Sequence, residues 1–557
     1  MAPGEGKSCN NWCRDPRFEA TCFPYFFPDG ENCLDTDREV PLSASQYYNQ
    51  RMTDESGIFP EDPDYVFVAE QKVEKLQVEN QIDVSMKKGK LVQSGNETKL
   101  VKCEDAFSVF RDIPGTPPYW RKFRYEILAR IEQLGPFDFF FTLSSAEMRW
   151  DEVLAAVLQK KGCDVTIQQE NGKVTYLVNG ISMSEYKTTK ITNMRDLLKD
   201  HYVLITRMFD NRVKAFLKNI LTKHKVSWYT YRIEFQVRGM PHVHGVFWLN
   251  KDEKEKYSSN GAYDKAKVIQ LIDEWISCSI ATGDLQLDNI VKEVNVHKHT
   301  KSCRKYKTNC RFKFPKLPSN KTVIASPLPD SMSEEEKKEK LKWVKSILEK
   351  VKKALEDMSE EDENMTLCEF LTKLDISNDE YNEALTVSEK GEVVILKRTL
   401  KERNVNNYNK CFLKVWNGNS DIQFCFDLHA VVTYITDYFS KEDTGLTKLL
   451  KKAIEEKKNC DDFERLNYVK KIYFTHRQKN LSEATFKLIG GMNLKGSNIK
   501  TLFLATGFPE NRLKFMRKVD NCGQMDEHSD DESDLQDDPV NIEQGKQIKI
   551  EGREGKF

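Results

Sequence analysis

The chain has no apolar run approaching the roughly 18–20 residues needed to cross a bilayer. Its N-terminal stretch, around Cys9, Asn10, Asn11 and Trp12, lacks the apolar core of a secretion signal. Both absences argue against a membrane-spanning or classically secreted protein. Net charge is nearly missing too: 86 Lys and Arg face 87 Asp and Glu, a sum of −1. A neutral sum still leaves local basic patches free to meet nucleic acid. The 14 cysteines are too irregularly spaced for a disulfide framework. Most therefore read as small buried hydrophobes. Two groups stand apart: Cys9, Cys13, Cys22 and Cys33, and the set His297, His299, Cys303 and Cys310. No Gly-x4-Gly-Lys-Ser/Thr loop is present to cradle nucleotide phosphates, and no internal repeat is visible.

Aromatic residues are plentiful. With 31 Phe and 20 Tyr among 39% apolar residues, the 557-residue chain can build a sizeable core despite 31% charged residues. Its length suggests about three or four units. Residues 1–84 form a Cys- and aromatic-rich N-terminal segment, with no sustained helical period through residue 60. The polar stretch 85–100 reads as a linker. Within 101–320, Asp138 to Leu143 reads as a buried strand, followed by a helix carrying Trp150, Val153, Leu154 and Val157. Val165 to Val178 turns at Asn171-Gly172 and reads as a hairpin. Phe209 to Leu221 reads as helix. Trp228–Val237 and His242–Leu249, split by Arg238-Gly239-Met240-Pro241, read as a second hairpin. Residues 321–390 form a charged helical insertion. In it, Ser333 and Glu336 fit a capping box, and Leu341, Val344, Leu348, Val351 and Leu355 recur at helical spacing, a stripe suited to packing on its own protein. Segment 391–445 opens with a strand at Val393–Leu396 and holds a helix from Leu428 to Phe439. A helical and strand segment spans 446–518, and 519–557 is an acidic, Ser-rich tail read as disordered.

Three constellations carry chemistry. On a strand, His242 and His244 share a face and can converge on a divalent cation. Glu234 and Gln236, on the preceding strand, share a face by the same period and offer a third ligand. Two satisfied histidines would give the same pattern. In a helix, Tyr434 and Tyr438 lie one turn apart. A phenol beside a bound cation can attack a phosphodiester; a buried aromatic pair is the alternative. His297, His299, Cys303 and Cys310 suit tetrahedral zinc. Around them Arg304, Lys305, Lys307, Arg311 and Lys313 interleave with Tyr306, Phe312 and Phe314, a composition fitted to single-stranded nucleic acid. A solvated basic loop with incidental thiols is the competing reading.

In chain order, these motifs resemble the replication-initiator-like region of Helitron transposases, whose nuclease belongs to the HUH superfamily. The carrying residues are Cys22-Phe23-Pro24-Tyr25-Phe26-Phe27-Pro28-Asp29-Gly30, then Tyr119-Trp120-Arg121 with Phe139 to Ser144 and Arg149-Trp150. Glu234-Phe235-Gln236-x-Arg238-Gly239-x-Pro241-His242-x-His244 follows, then Cys310-Arg311-Phe312-x-Phe314-Pro315. Asn407-Tyr408-Asn409, Tyr434-x3-Tyr438-x2-Lys441 and Ser482-Glu483-Ala484 complete the series. The resemblance spans roughly residues 20 to 515 and is specific as an ordered set. It implies an α+β, HUH-endonuclease-like domain with a central antiparallel sheet flanked by helices, plus a small His/Cys zinc-binding segment. It also implies metal-dependent nicking and strand transfer of single-stranded DNA through 5′-phosphotyrosine intermediates. Tyr434 and Tyr438 would be the nucleophiles. His242, His244 and Gln236, with Glu234 as the alternative third ligand, would hold Mg2+ or Mn2+. Expected partners are single-stranded DNA and a helicase, supplied in trans or by a C-terminal region beyond this chain, with no membrane. The expected location is intracellular, the nucleus in a eukaryote. The rival expectation is a domesticated or decayed transposase fragment that binds DNA without cutting it.

Overall fold

The computed structural model describes residues 12–89, 117–170, 173–221, 225–235, 240–259, 262–301, 303, 310–359, 361–426, 444–457, 462–476, 479–490 and 494–496. The first strand, β1 (Phe139–Ser144), buries all four of its apolar residues, with Thr142 and Ser144 half-buried. A meander follows: β2 (Val165–Glu170), β3 (Lys173–Val178) and β4 (Ile181–Ser182), paired in order. The second hairpin is β5 (Val226–Phe235) with β6 (Pro241–Leu249), where aromatic and β-branched residues favour extended backbone. After the short β7 (Ser258–Ser259) and β8 (Ala262–Tyr263) come β9 (Val323–Pro327), β10 (Val387–Ser388) and β11 (Val393–Ile395). The last two strands are β12 (Ser420–Phe424) and β13 (Leu494–Gly496).

The central sheet runs β12-β1-β6-β5-β13, antiparallel at every step. Strand alternation gives it two unlike faces. One presents Phe139, Phe141, Leu143, Ile233, Val243 and Phe247 to the largest core, closed by helices Asp151–Lys160, Tyr202–Phe216, Lys265–Trp275 and Lys410–Trp416. The other face is apolar at one end, where helix Pro117–Leu134 lays Tyr119, Ile127 and Ile131 on Phe140, Val246 and Trp248. Its other end is polar. Gly245 is required by this packing, because a Cβ there would meet the Phe141 ring at 2.4 Å.

Several resemblance motifs turn out to pin the core. Trp150 donates its indole N–H to the Trp416 carbonyl at 2.8 Å, and Trp416 donates its own to the Ser144 carbonyl at 2.7 Å. Arg149 bonds Asn417. Tyr408 is buried with its hydroxyl on the Ser279 carbonyl, and Asn409 caps helix Lys410–Trp416. Phe23 and Phe27 pack around Tyr65 in the N-terminal cluster.

Helix Glu334–Glu356 has the expected Ser333–Glu336 capping box. Val344, Leu348, Val351 and Leu355 of its stripe pack within its own region, on Leu367, Phe370, Leu371 and Tyr381. Two expectations need correction. Residues 1–60 contain a regular helix, Ala44–Thr53, started by a Ser43–Gln46 capping box that the aromatic density obscured. Helix Pro63–Gly89 runs through the first residues of the stretch read as a linker, because Met86, Lys87 and Lys88 are good helix formers and the first breaker is Gly89. The Leu428–Phe439 helix, residues 90–100 and the acidic tail lie outside the described residues.

The segments divided at residues 84 and 446 share cores. Ala484 and Leu488 of helix Leu481–Leu488 join the N-terminal cluster, while Phe486 of that helix packs in the main core. Among the described residues, no helix is long and apolar enough to cross a membrane.

Candidate metal centres on and beside the sheet

The polar end of the second sheet face is built by register. His242 lies opposite Ser144 on β1 and Glu234 on β5; His244 lies opposite Thr142 and Arg232. Directly opposed residues in antiparallel ladders share a face. The two imidazoles accordingly sit side by side, centroids 6.2 Å apart and planes at 21°. Ser144 Oγ lies 3.2 Å from His242 Nδ1, which leaves Nε2 as that ring's ligand atom. His244 Nε2 lies 2.7 Å from Glu234 Oε2, a diagonal pairing across the hairpin.

Electrostatics follow from burial. Burial, then the charge of His244, pushes His242 down to about 4 against the opposing pull of Glu234. Its imidazole is therefore neutral at physiological pH, the form that binds metal. Burial alone would raise the Glu234 carboxyl. The hydrogen bond and charge of His244, with Arg232 and His242 nearby, outweigh it and hold the group below its usual range.

Whether a cation fits can be judged from the pair itself. Two neighbouring oxygen or nitrogen ligands of an octahedral cation sit about 3 Å apart when each bond is about 2.1 Å. The 2.7 Å His244–Glu234 spacing is close to that edge. A cation entering between these two atoms would need only a small opening. Gln236, the first choice for third ligand, lies outside the described residues; Glu234 is the acid at the histidines.

The His/Cys set does close. Ligand atoms of His297, His299, Cys303 and Cys310 all lie within 4.8 Å of one another. Cys310 Sγ is 3.4 Å from His297 Nε2, and Cys303 Sγ is 3.6 Å from His299 Nδ1. Those distances match the edge of a zinc tetrahedron with bonds of about 2.0–2.3 Å, roughly 3.5 Å. The cluster could bind a metal such as zinc. The Thr300 backbone N–H points at Cys303 Sγ at 3.2 Å, a bond that favours thiolate. His297 stacks on Phe314 with centroids 4.5 Å apart. Both ends of the segment are tied to one loop, His297 N–H to the Asn404 carbonyl and Lys316 N–H to the Arg403 carbonyl. Arg311, Phe312 and Lys313 are exposed, with the Arg311 guanidinium over the Phe312 ring. Arg304, Lys305, Lys307, Tyr434 and Tyr438 lie outside the described residues.

Sequence reasoning missed two groups on the polar face. Arg232, almost fully buried, stands beside His244, and Asp421 of β12 lies opposite Thr142. For Arg232 the signal was available, since it shares the period-2 face with Glu234. For Asp421 there was none, because its strand pairs with β1 nearly three hundred residues away.

Residues 50–247 match the family model for the Helitron helicase-like domain at the N-terminus. The match is just over a third of the chain and ends inside β6, so it takes in the histidine pair and Glu234 but neither the His/Cys set nor β12. Over this stretch the chain is similar to that domain. No curated protein matches the chain.

Proposed function

We propose that this chain nicks and rejoins single-stranded DNA in a metal-dependent reaction of the rolling-circle, HUH type. The observation that supports it most is the His244–Glu234 pair beside a neutral His242 on one sheet face, inside the Helitron-related stretch. When bound there, Mg2+ or Mn2+ polarises the scissile phosphate and offsets its developing charge. The mixed nitrogen and oxygen set suits Mn2+ better. His242, His244 and either Gln236 or Glu234 would hold the ion, with Ser144 fixing the His242 ring and Glu234 set against His244. In this reading Tyr434 or Tyr438 attacks phosphorus, leaving a 5′-phosphotyrosine and a free 3′-hydroxyl. The covalent ester conserves the bond for strand transfer, so no nucleotide is hydrolysed. His297, His299, Cys303 and Cys310 would hold a structural zinc, beside which the exposed Arg311, Phe312 and Lys313 would meet the DNA strand. In this reading Arg304, Lys305 and Lys307 also contact the DNA. A helicase acting in trans or from a further region would supply the strand, and a nuclear location follows in a eukaryote.

A labelled single-stranded oligonucleotide library incubated with Mn2+ should yield nicks and protein-linked 5′ ends that survive denaturation and collapse to a tyrosine adduct after protease. His242→Ala should abolish both while strand binding persists. A second reading, DNA binding without cleavage, is favoured by the His/Cys set being complete by itself outside the matched stretch. Retained binding with no nick under any divalent cation would establish that reading instead.

A further inference from the structure

One acid on the polar sheet face has no part in the reaction as described so far. Asp421 pairs with Thr142 across β1 and β12, and Thr142 pairs with His244 across β1 and β6. The three form one row on one face, with Asp421 on the edge strand. Two strand spacings put Asp421 and His244 about 10 Å apart at Cα. That leaves room for a phosphodiester held at the histidines to reach Asp421 with an ester oxygen.

The carboxyl is unusual in its surroundings. Its Oδ1 is sealed from solvent and has no hydrogen-bond partner among the described residues. Its Oδ2 accepts from Nε2 of Gln423 at 2.6 Å, and Gln423 is exposed, so an incoming strand can displace it. A sealed, unsatisfied oxygen disfavours the ionised form. Burial pushes Asp421 up to about 6, against the Gln423 bond and the charge of Lys316. Lys316 is the cation that faces it, from the His/Cys segment. That lysine is part-buried, with its Nζ on the Phe312 carbonyl at 3.1 Å and with Arg398, Lys313 and Lys352 nearby. From β1 the facing group is Thr142, which does not titrate.

We propose that Asp421 donates the proton to the 3′-oxygen leaving group during nicking, and takes it back during rejoining. This rests on the nuclease reading above. In the forward step the tyrosine oxygen–phosphorus bond forms and the phosphorus–O3′ bond breaks. The Asp421 proton moves to O3′, giving a 3′-hydroxyl and a carboxylate, while the tyrosine proton passes to water. In the reverse step the carboxylate deprotonates the 3′-hydroxyl as it attacks the phosphotyrosine, and the tyrosinate leaves with a proton from water. An alkoxide leaves poorly unless it is protonated as it departs, which is where a carboxylic acid near neutral pH acts best.

The test uses the full chain, Mn2+ and two oligonucleotides, one ordinary and one with sulfur in place of the bridging 3′-oxygen at the nick site. A thiolate leaves without a proton. Asp421→Asn should slow nicking of the oxygen substrate by about 10²–10⁴-fold, with strand binding unchanged. The same variant should cut the sulfur substrate nearly as fast as wild type. His242→Ala should be slow on both. For wild type, nicking of the oxygen substrate should fall as pH rises past the Asp421 range, and that limb should vanish with sulfur. Equal losses on both substrates, or no loss on oxygen, would overturn the assignment. Wild type that cuts neither substrate would sink the nuclease reading, and the inference with it.

Discussion

Glu234 and Asp421 occupy the same sheet face with opposite electrostatics, and the difference lies in their neighbours. Glu234 has the His244 ring and the Arg232 charge, which overcome burial. Asp421 has a neutral amide and one part-buried lysine, which do not. Its folded-state pKa of about 6 lies above the ordinary carboxyl value. The proton therefore favours folding most below the unfolded value near ~4, and that contribution is lost as pH rises through the folded value. Above it, the folded protein carries a poorly solvated charge. Asp421→Asn removes that charge, so the variant should melt at higher temperature than wild type at pH 8. The gain should be on the order of 2 kcal/mol, and the two melts should converge near pH 4. A variant less stable at pH 8 would mean that Lys316 compensates the carboxylate fully. The combination expected here, a more stable protein that nicks more slowly, is the usual cost of a strained functional group.

At the scale of elements, what the sequence reveals depends on the range of the signal. Period-2 spacing places His242, His244 and Glu234 on one face, because the information sits within a single hairpin. The Ser333–Glu336 capping box and its stripe are equally local, and the helix stands as expected. The diagonal Glu234–His244 bond was not legible, since opposing registers alone pair Glu234 with His242. Nor was Asp421, whose relation to the histidines passes through two ladders. The His/Cys segment is the element in which ligand type alone predicted convergence, because its four donors lie within fourteen residues. Its cysteines and Phe314 form a three-residue cluster of their own. That is little apolar area, and a bound metal would add to it. Purified protein should therefore contain about one zinc per chain, and Cys303→Ser should lose it. Elemental analysis reads the loss directly, and limited proteolysis should then cut between residues 297 and 316. Full zinc content in Cys303→Ser would remove that cysteine from the ligand set.

Across the whole molecule, the ends of the described chain hold the sheet from behind. Helix Leu481–Leu488 sends Ala484 and Leu488 into the N-terminal cluster and packs Phe486 at a tilt against Phe235, centroids 5.4 Å apart, one residue from Glu234. Strand β13 then pairs with β5 itself. The anchor for this arrangement is ionic. Lys479 bonds both oxygens of Glu70 at 2.6 and 2.7 Å and also bonds Glu74, with side chains 10, 5 and 7% exposed respectively. Glu74 further accepts from the Tyr473 hydroxyl at 2.8 Å, and Lys487 bonds Glu483 at 3.2 Å beside them. Such a cluster is weak evidence for net stability, since desolvation offsets most of its attraction. Breaking it is another matter, because two carboxylates would be left buried without their main cation. Lys479→Met should thus cost about 3–5 kcal/mol in thermal or denaturant unfolding. Pairing it with Glu70→Gln and Glu74→Gln should recover most of that loss, since the stranded charges go with the lysine. The Lys479→Met protein should also lose nicking at a lower temperature than wild type, as β13 and Phe486 release the strand that carries Glu234. A single-variant cost under about 1 kcal/mol, the value of an exposed pair, would mean that water already reaches the cluster and that the two ends are held by apolar packing alone.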